Sequence, residues 1–395
     1  MLSVEEAVVR LYSQAKIIAK EVESVSVDQS LGRVVAESIR ASIDVPPADN
    51  SAMDGYAFCF RDAAEQLFRL PISQRIPAGI VPEILAKNSA ARIFTGAELP
   101  EGADTVVAQE VCIEENVVVT IDSSVTFRQH VRSQGQDIRR GEIILKRGTC
   151  IEPEHMGLLS SVGLRQLSVY RPLRVAVFST GDELVDPGEK LQPGQIYNSN
   201  RSLLMGAISA LGMDPIDIGS VADNIEATAE ALQNASDNAD VIISAGGISV
   251  GEEDHVKHAV EQLGEVDFWR VAIKPGKPMA FGRIKQAPFI GLPGNPASVF
   301  VTFSVLAKPF LLASQGVESV QPVVAQAYAS FQRPAESREV YLRGLLSTDG
   351  GRVCVHIYAN QSSGVLSSVT WGNVLIRQRV GQKIAYDDLV DVLPY

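Results

Sequence analysis

The sequence predicts a multidomain α/β protein. A doubly wound parallel sheet sits between a β-rich domain upstream and a small β domain downstream. Three observations predict this. Between Arg174 and Leu292 the apolar runs RVAVF, IDIG, VIISA and FIGL alternate with helical patterns, as parallel βαβ units do. From about residue 70 to 150, short β-branched runs alternate with turn signals. Beyond about residue 320 the helical patterns stop and VYLRGLL, RVCVHIYA, VLIRQRV and LVDVLP follow.

Taken in order, Ser3 and Glu6 have the spacing of a capping box, and Val4, Ala7, Val8, Leu11 and Ala15 form one apolar helical face. After Gly32 the chain becomes irregular and proline-rich, ending in DVPPADNSAMDGYAF. The runs TVVAQ, VVVTI and IIL, punctuated by PEGAD and RRGEI, then predict short strands. The pattern changes at Pro172. The helices expected beyond it are RSLLMGAISALG, EATAEALQNASDN, DHVKHAVEQLG and PASVFVTFSVLAKPFLLAS. Lys308 and Pro309 are expected to break the most apolar stretch, VFVTFSVLAKPFLLA, leaving it too short to span a bilayer.

With 395 residues, two to four domains are expected. A net charge of −12 argues against a nucleic-acid surface, which needs a basic footprint, but allows a local basic pocket. The four cysteines show no C-x-x-C spacing, so neither a zinc site nor a disulfide framework is expected. The N-terminus lacks the apolar core of a secretory signal. A soluble, cytoplasmic protein with no membrane segment is the expectation.

The chemistry concentrates between residues 243 and 296, in ISAGGISVGEED, VAIKPGKP and FIGLPGNPAS. Glycine lets backbone N–H groups approach an anion, and proline fixes the turns that aim neighbouring lysines. Glu183, Asp223 and Asp254 fall beyond the carboxyl ends of predicted strands, where open parallel sheets bind ligands. Together they would suit a hard cation such as Mg²⁺. Asp223 and Asp254 equally suit capping of the helices that follow. Lys274 and Lys277, pinned around a Pro-Gly turn, point to a phosphate or oxyanion. Asp49, Asn50, Ser51 and Asp54 read equally as turn residues or site residues, as do Arg92 and Thr95. His255 and His258 carry no metal signature.

The chain resembles the MoeA family of molybdopterin molybdenumtransferases, to which the C-terminal part of gephyrin is related. The resemblance runs through DVPPADNSAMDGYA, RIFTGAELPEGADTVV, GQDIRRGE, RVAVFSTGDELV, PGQIYNSN, SAGGISVGEED, VAIKPGKPMAFG and GLPGNPAS, in this order over nearly the whole chain. It implies an elongated helical segment (1–45 and 141–171), an inserted β-rich domain (46–140), a molybdopterin-binding α/β domain (172–318) and a C-terminal β-barrel (319–395). It also implies the last step of molybdenum cofactor assembly: adenylated molybdopterin and molybdate are bound, AMP is released and the metal enters the dithiolene.

By the same resemblance Asp54, Thr95, Asp137, Glu183 and Asp223 are catalytic. Gly246, Gly247, Ser249, Asp254, Lys274, Lys277, Pro293, Pro296 and Ser363 bind substrate, and Glu183, Asp223 and Asp254 hold Mg²⁺. Gln136 and Ala48 depart from the family pattern. A homodimer with a cleft shared between subunits is implied, with a molybdopterin adenylyltransferase as a further partner. Rival readings are a non-catalytic pterin-binding scaffold and an adenylyltransferase-like protein.

Overall fold

The computed structural model describes residues 1–248, 255–320 and 323–395. Helix α1, Val4–Gln14, opens on the expected capping box: Glu6 N–H donates to Ser3 Oγ, and Ser3 N–H to the Glu6 carboxylate. Its buried residues Val4, Ala7 and Leu11 do not serve a domain of their own. They join the core of the α/β domain, and Leu2 bridges to Val271.

The chain leaves this first segment and later returns to it. Val22–Ser26 pairs antiparallel with Gln166–Tyr170, and Ile39–Arg40 with Ile143–Leu145. Between them lies a six-stranded mixed sheet of β1 (Gly55–Phe58), β2 (Arg69–Ile76), β3 (Ala90–Ile93), β4 (Thr105–Ala108), β5 (Cys112–Glu115) and β6 (Val118–Ile121). Their order is β4-β1-β3-β2-β6-β5, with only the β2–β3 pair parallel.

The α/β domain has β7 (Arg174–Thr180), α2 (Ser199–Ala210), β8 (Asp214–Val221), α3 (Ile225–Asn238), β9 (Val241–Ala245), α4 (His255–Leu263), β10 (Gly264–Arg270), β11 (Pro278–Ile284) and β12 (Ala287–Leu292). Helix α5 follows over Pro296–Gln315. The sheet order is β8-β7-β9-β12-β11-β10, parallel across the first four strands and antiparallel at β11 and β10. Helices α2 and α5 cover one face and α3 and α4 the other, so the sheet is doubly wound.

Helix α5 corrects one expectation. The helix runs through Lys308 and Pro309 as expected, with a π-helical turn over Phe303–Ala307 that shifts the hydrogen-bond register where proline has no N–H to give; what differs is its length. The 20-residue helix is long and apolar enough to cross a membrane by length and composition, against the expectation of a stretch too short to do so, but 72% of its apolar 18-residue stretch is buried inside the protein. It is the central helix of the largest core.

The last domain contains β13 (Ala325–Ala329), β14 (Glu339–Asp349), β15 (Arg352–Ile357), β16 (Val374–Gln378) and β17 (Leu389–Pro394). They run β14-β15-β13-β17-β16, and β16 pairs back onto β14 to close a five-stranded barrel. Ile273–Lys274 of the α/β domain adds to the start of β14 as a parallel partner, Ile273 opposite Glu339 and Lys274 opposite Val340. The lysine turn is thereby stitched to the barrel.

Candidate active-site cleft

A cleft of 1090 Å³ opens where the carboxyl ends of the parallel strands face the barrel. Thr180, Gly181 and Glu183 enter it after β7, Asp223 after β8, and Gly246 and Gly247 after β9. The turn Lys274–Lys277 and the segment from Pro293 to Pro296 form further walls, and Arg333, Arg338, Arg343 and Ser363 close it from the barrel. Acids therefore lie at the strand ends and cations opposite them.

The floor is shaped by two glycines with positive φ, +95° at Gly246 and +63° at Gly247. A Cβ on Gly246 would lie 2.6 Å from the Thr180 carbonyl oxygen, and one on Gly247 would overlap the Thr180 hydroxyl and lie 2.5 Å from Val256 Cγ2. No L side chain fits either place. Asn200, only 8% exposed, donates to the Gly294 carbonyl at 2.7 Å and so holds the proline-rich loop against the α2 N-terminus. Asn198 caps α2 through Arg201 N–H and donates to Ser220 Oγ at 3.0 Å.

The acids now separate from their capping alternative. Asn224, not Asp223, is the N-cap of α3, accepting from Ala227 N–H at 2.8 Å. Asp223 instead lines the cleft, its N–H donating to Asp182. Ser249 and Asp254 lie outside the described residues. Among the described residues no group of three or more His, Cys, Asp or Glu side chains has metal-holding geometry.

The two lysines differ. Lys274 donates to Glu336 of the barrel domain at 2.8 Å, and this contact holds the Glu336 carboxyl below the usual carboxylate range. Among the described residues Lys277 makes no side-chain hydrogen bond or ion pair and stands exposed at the cleft wall. The sequence reading missed a buried cation. Arg343 is 0% exposed, and its guanidinium donates to Ser368 Oγ at 2.9 Å and to the Ser362 carbonyl at 3.0 Å, with no carboxylate among these partners. Burial pushes its pKa down to about 10, so it stays charged at neutral pH in a place that disfavours charge. An apolar strand pattern with one arginine inside it, VYLRGLL, was the available signal.

Asp54, Thr95 and Asp137 are not in this cleft of the chain. Asp54 accepts from both the N–H and the hydroxyl of Thr95, at 2.8 and 2.7 Å, and these bonds hold its carboxyl below the usual range. The pair sits at the ends of β1 and β3 on an exposed surface of the β-rich domain. Asp137 lies exposed on a separate loop, its N–H donating to Val45. Pro293 and Pro296, Gly246 and Gly247, Glu183 and Asp223, both lysines and Ser363 are brought together.

A doubly wound sheet with glycine turns, strand-end acids and facing cations defines an α/β protein with a sheet crevice whose chemistry suits an anionic small molecule. Comparison with known proteins makes this specific. Residues 2–163 match the MoeA N-terminal region (domain I and II), residues 176–313 a probable molybdopterin binding domain, and residues 326–395 the MoeA C-terminal region (domain IV). The molybdopterin molybdenumtransferase of Haemophilus influenzae is 35% identical over 401 residues, covering 100% of this chain and 99% of the relative. That of a Nostoc species is 36% identical, covering 92% and 86%. The crystal structure of a molybdopterin biosynthesis MoeA protein from Pyrococcus horikoshii superposes with a TM-score of 0.81 at 32% identity, covering 100% of this chain and 99% of that one. The chain belongs to the MoeA family.

Proposed function

We propose that this protein is a molybdopterin molybdenumtransferase, which releases AMP from adenylated molybdopterin and inserts molybdate into the dithiolene. The observation that carries the reading is the bipolar cleft at the strand ends, in a chain whose full length matches curated transferases. Gly246 and Gly247 bring backbone close to the substrate. Lys277 and Arg343 supply positive charge for phosphate or molybdate oxygens, Arg343 in a fixed, desolvated orientation. Lys274 is the weaker anion ligand, since Glu336 already neutralises it.

The donor set fits a hard cation: Glu183 and Asp223 offer carboxylate oxygens to one cleft, and none of its lining residues is a cysteine or histidine. These two carboxylates, with Asp254, would hold Mg²⁺. Bound there, the ion would neutralise phosphoanhydride charge. Protein cysteine ligands are unnecessary because the substrate brings its own sulfurs.

Asp54 and Thr95 position molybdate or the attacking group from a second subunit of a homodimer. Support for this comes from their distance from the cleft of their own chain and from the mutual bonds that hold the carboxylate ionised and oriented. Asp137 joins the same wall. The setting is cytoplasmic, and an adenylyltransferase delivers the adenylated substrate. AMP release and cofactor formation from adenylated molybdopterin, with and without molybdate, test the reading. Folded Asp54→Ala and Glu183→Ala proteins are expected to lose cofactor formation, and wild-type rates in both would sink the assignment.

A further inference from the structure

Outside the cleft, the β-rich domain carries two arginines in an unusual relation. In the parallel β2–β3 pair Arg75 stands directly opposite Arg92, so both guanidiniums share one sheet face. Like charges in register on adjacent strands repel. Phe94, two residues beyond Arg92, draws both cations to its ring, Arg92 at 4.6 Å from the centroid and Arg75 at 4.8 Å. Arg92 also lies 5.3 Å from the Tyr56 ring, its cross-strand neighbour on β1.

The aromatic rings attract the two charges without removing either. Arg92 donates to the carbonyls of Gly55 and Ile93, at 2.8 and 3.0 Å, and to the Gln109 amide oxygen, all of them neutral acceptors. Arg75 is exposed, and among the described residues its guanidinium has no hydrogen-bond partner. Of the nearby acids, Glu114 bonds the Tyr56 hydroxyl, and Asp54, bonded to Thr95, attracts Arg92 at longer range without a direct ion pair. The sheet thus gathers two cations at one ring, and among the described residues no carboxylate forms an ion pair with either, which leaves both charges available to an external anion.

We propose that Arg75 and Arg92, fixed by Phe94, form an oxyanion site on the β-rich domain that takes a tetrahedral dianion, phosphate or molybdate. The planar forks of two arginines suit such an anion better than lysines do. The class of anion stands on the two guanidiniums alone. Its assignment to a substrate of this protein rests on the transferase reading above.

The experiment titrates the full-length protein with sodium molybdate and, separately, with inorganic phosphate by calorimetry. Ionic strength is held constant with chloride, and Arg75→Gln and Arg75→Glu are compared with wild type. Arg75→Gln is expected to weaken one class of sites by about 10-fold or more. Arg75→Glu is expected to abolish that class and, by pairing with Arg92 across the strands, to melt higher than wild type in chloride alone. Unchanged stoichiometry and affinity in Arg75→Gln would overturn the site, and so would an Arg75→Glu protein that melts no higher than wild type. Binding of molybdate only, or of phosphate only, supports the site and names its source. AMP release is assayed separately, so a wild-type protein that binds anions but releases no AMP sinks the transferase reading and leaves this one standing.

Discussion

At the scale of single residues, the cleft depends on positions where one atom more or one charge less has separable effects. Gly247→Ala places a Cβ against Thr180 and Val256 at a φ of +63°. We expect a loss of about 2 kcal/mol in stability, from overpacking together with a disfavoured backbone, visible as a lowered urea midpoint, and a loss of substrate binding. Arg343→Gln should behave in the opposite way. Removing a buried charge that has no carboxylate among its partners relieves desolvation, so the variant is expected to fold as stably as wild type. Its affinity for adenylated molybdopterin should nonetheless drop about 10-fold or more. A variant that unfolded instead, or that bound normally, would show Arg343 to be a structural residue only.

At the scale of elements, Asp240 ties the foot of β9 to the start of β7, its neighbour in the sheet. Arg171 donates to it at 2.6 and 3.0 Å, and Arg174 contributes its backbone N–H at 2.8 Å. Burial raises the Asp240 pKa, but the hydrogen bonds from Arg171 and Arg174 outweigh it and leave the carboxyl below its usual value. A carboxyl depressed in the folded state stabilises fully above its unfolded pKa, near 4, and that stability is lost as pH falls through the folded value. Asp240→Asn is expected to cost about 2 kcal/mol at pH 7, discounted for the partly exposed Arg174. Wild type and variant should converge in denaturant midpoint as the pH falls below the unfolded carboxyl value and through the lower folded one. Capping is a smaller effect of the same local kind: Asn224→Ala should remove about 1 kcal/mol by exposing the α3 N-terminus.

Most elements were legible in advance because their signals are local. The capping box at Ser3 and Glu6, the four parallel strands and their covering helices follow from hydrophobic period and cap chemistry. The continuity of α5 was legible, since PASVFVTFSVLAKPFLLAS reads as one helix, but the π turn inside it was not. That turn absorbs the donor missing at Pro309 and lies in the buried core, so its signal is not local. Glu183, Asp223 and the glycine pair were legible as strand-end residues, whereas Arg343 and Asn200 were not, since neither carries a local motif of its own.

At the scale of the whole molecule, the cleft is a joint between two domains. Ile273–Lys274 pairs with β14, and Lys274 reaches Glu336, so the barrel is held against the sheet crevice by backbone and charge together. Glu336→Gln is expected to leave the barrel folded while freeing Lys274 for anions. A rise in molybdate affinity would be the outcome that checks it. The proposed homodimer has a sharper test. Mixing Asp54→Ala with Glu183→Ala subunits should restore AMP release, because in each mixed dimer one of the two shared clefts regains both wild-type walls. No recovery in verified mixed dimers would place both residues in one subunit's chemistry.

By itself the sequence determined the α/β class, the strand-end positions of the acids and, through ordered motifs, the family. Each of these depends on residues close together in the chain or on the motifs themselves. Only the tertiary structure decided which of those residues share a cleft. Closing the barrel against the sheet brings Arg343 to Lys277 and Gly247, while folding the β-rich domain separately carries Asp54 and Thr95 away to their own surface. Contacts of that range are fixed by core packing and sheet register, which no local spacing encodes.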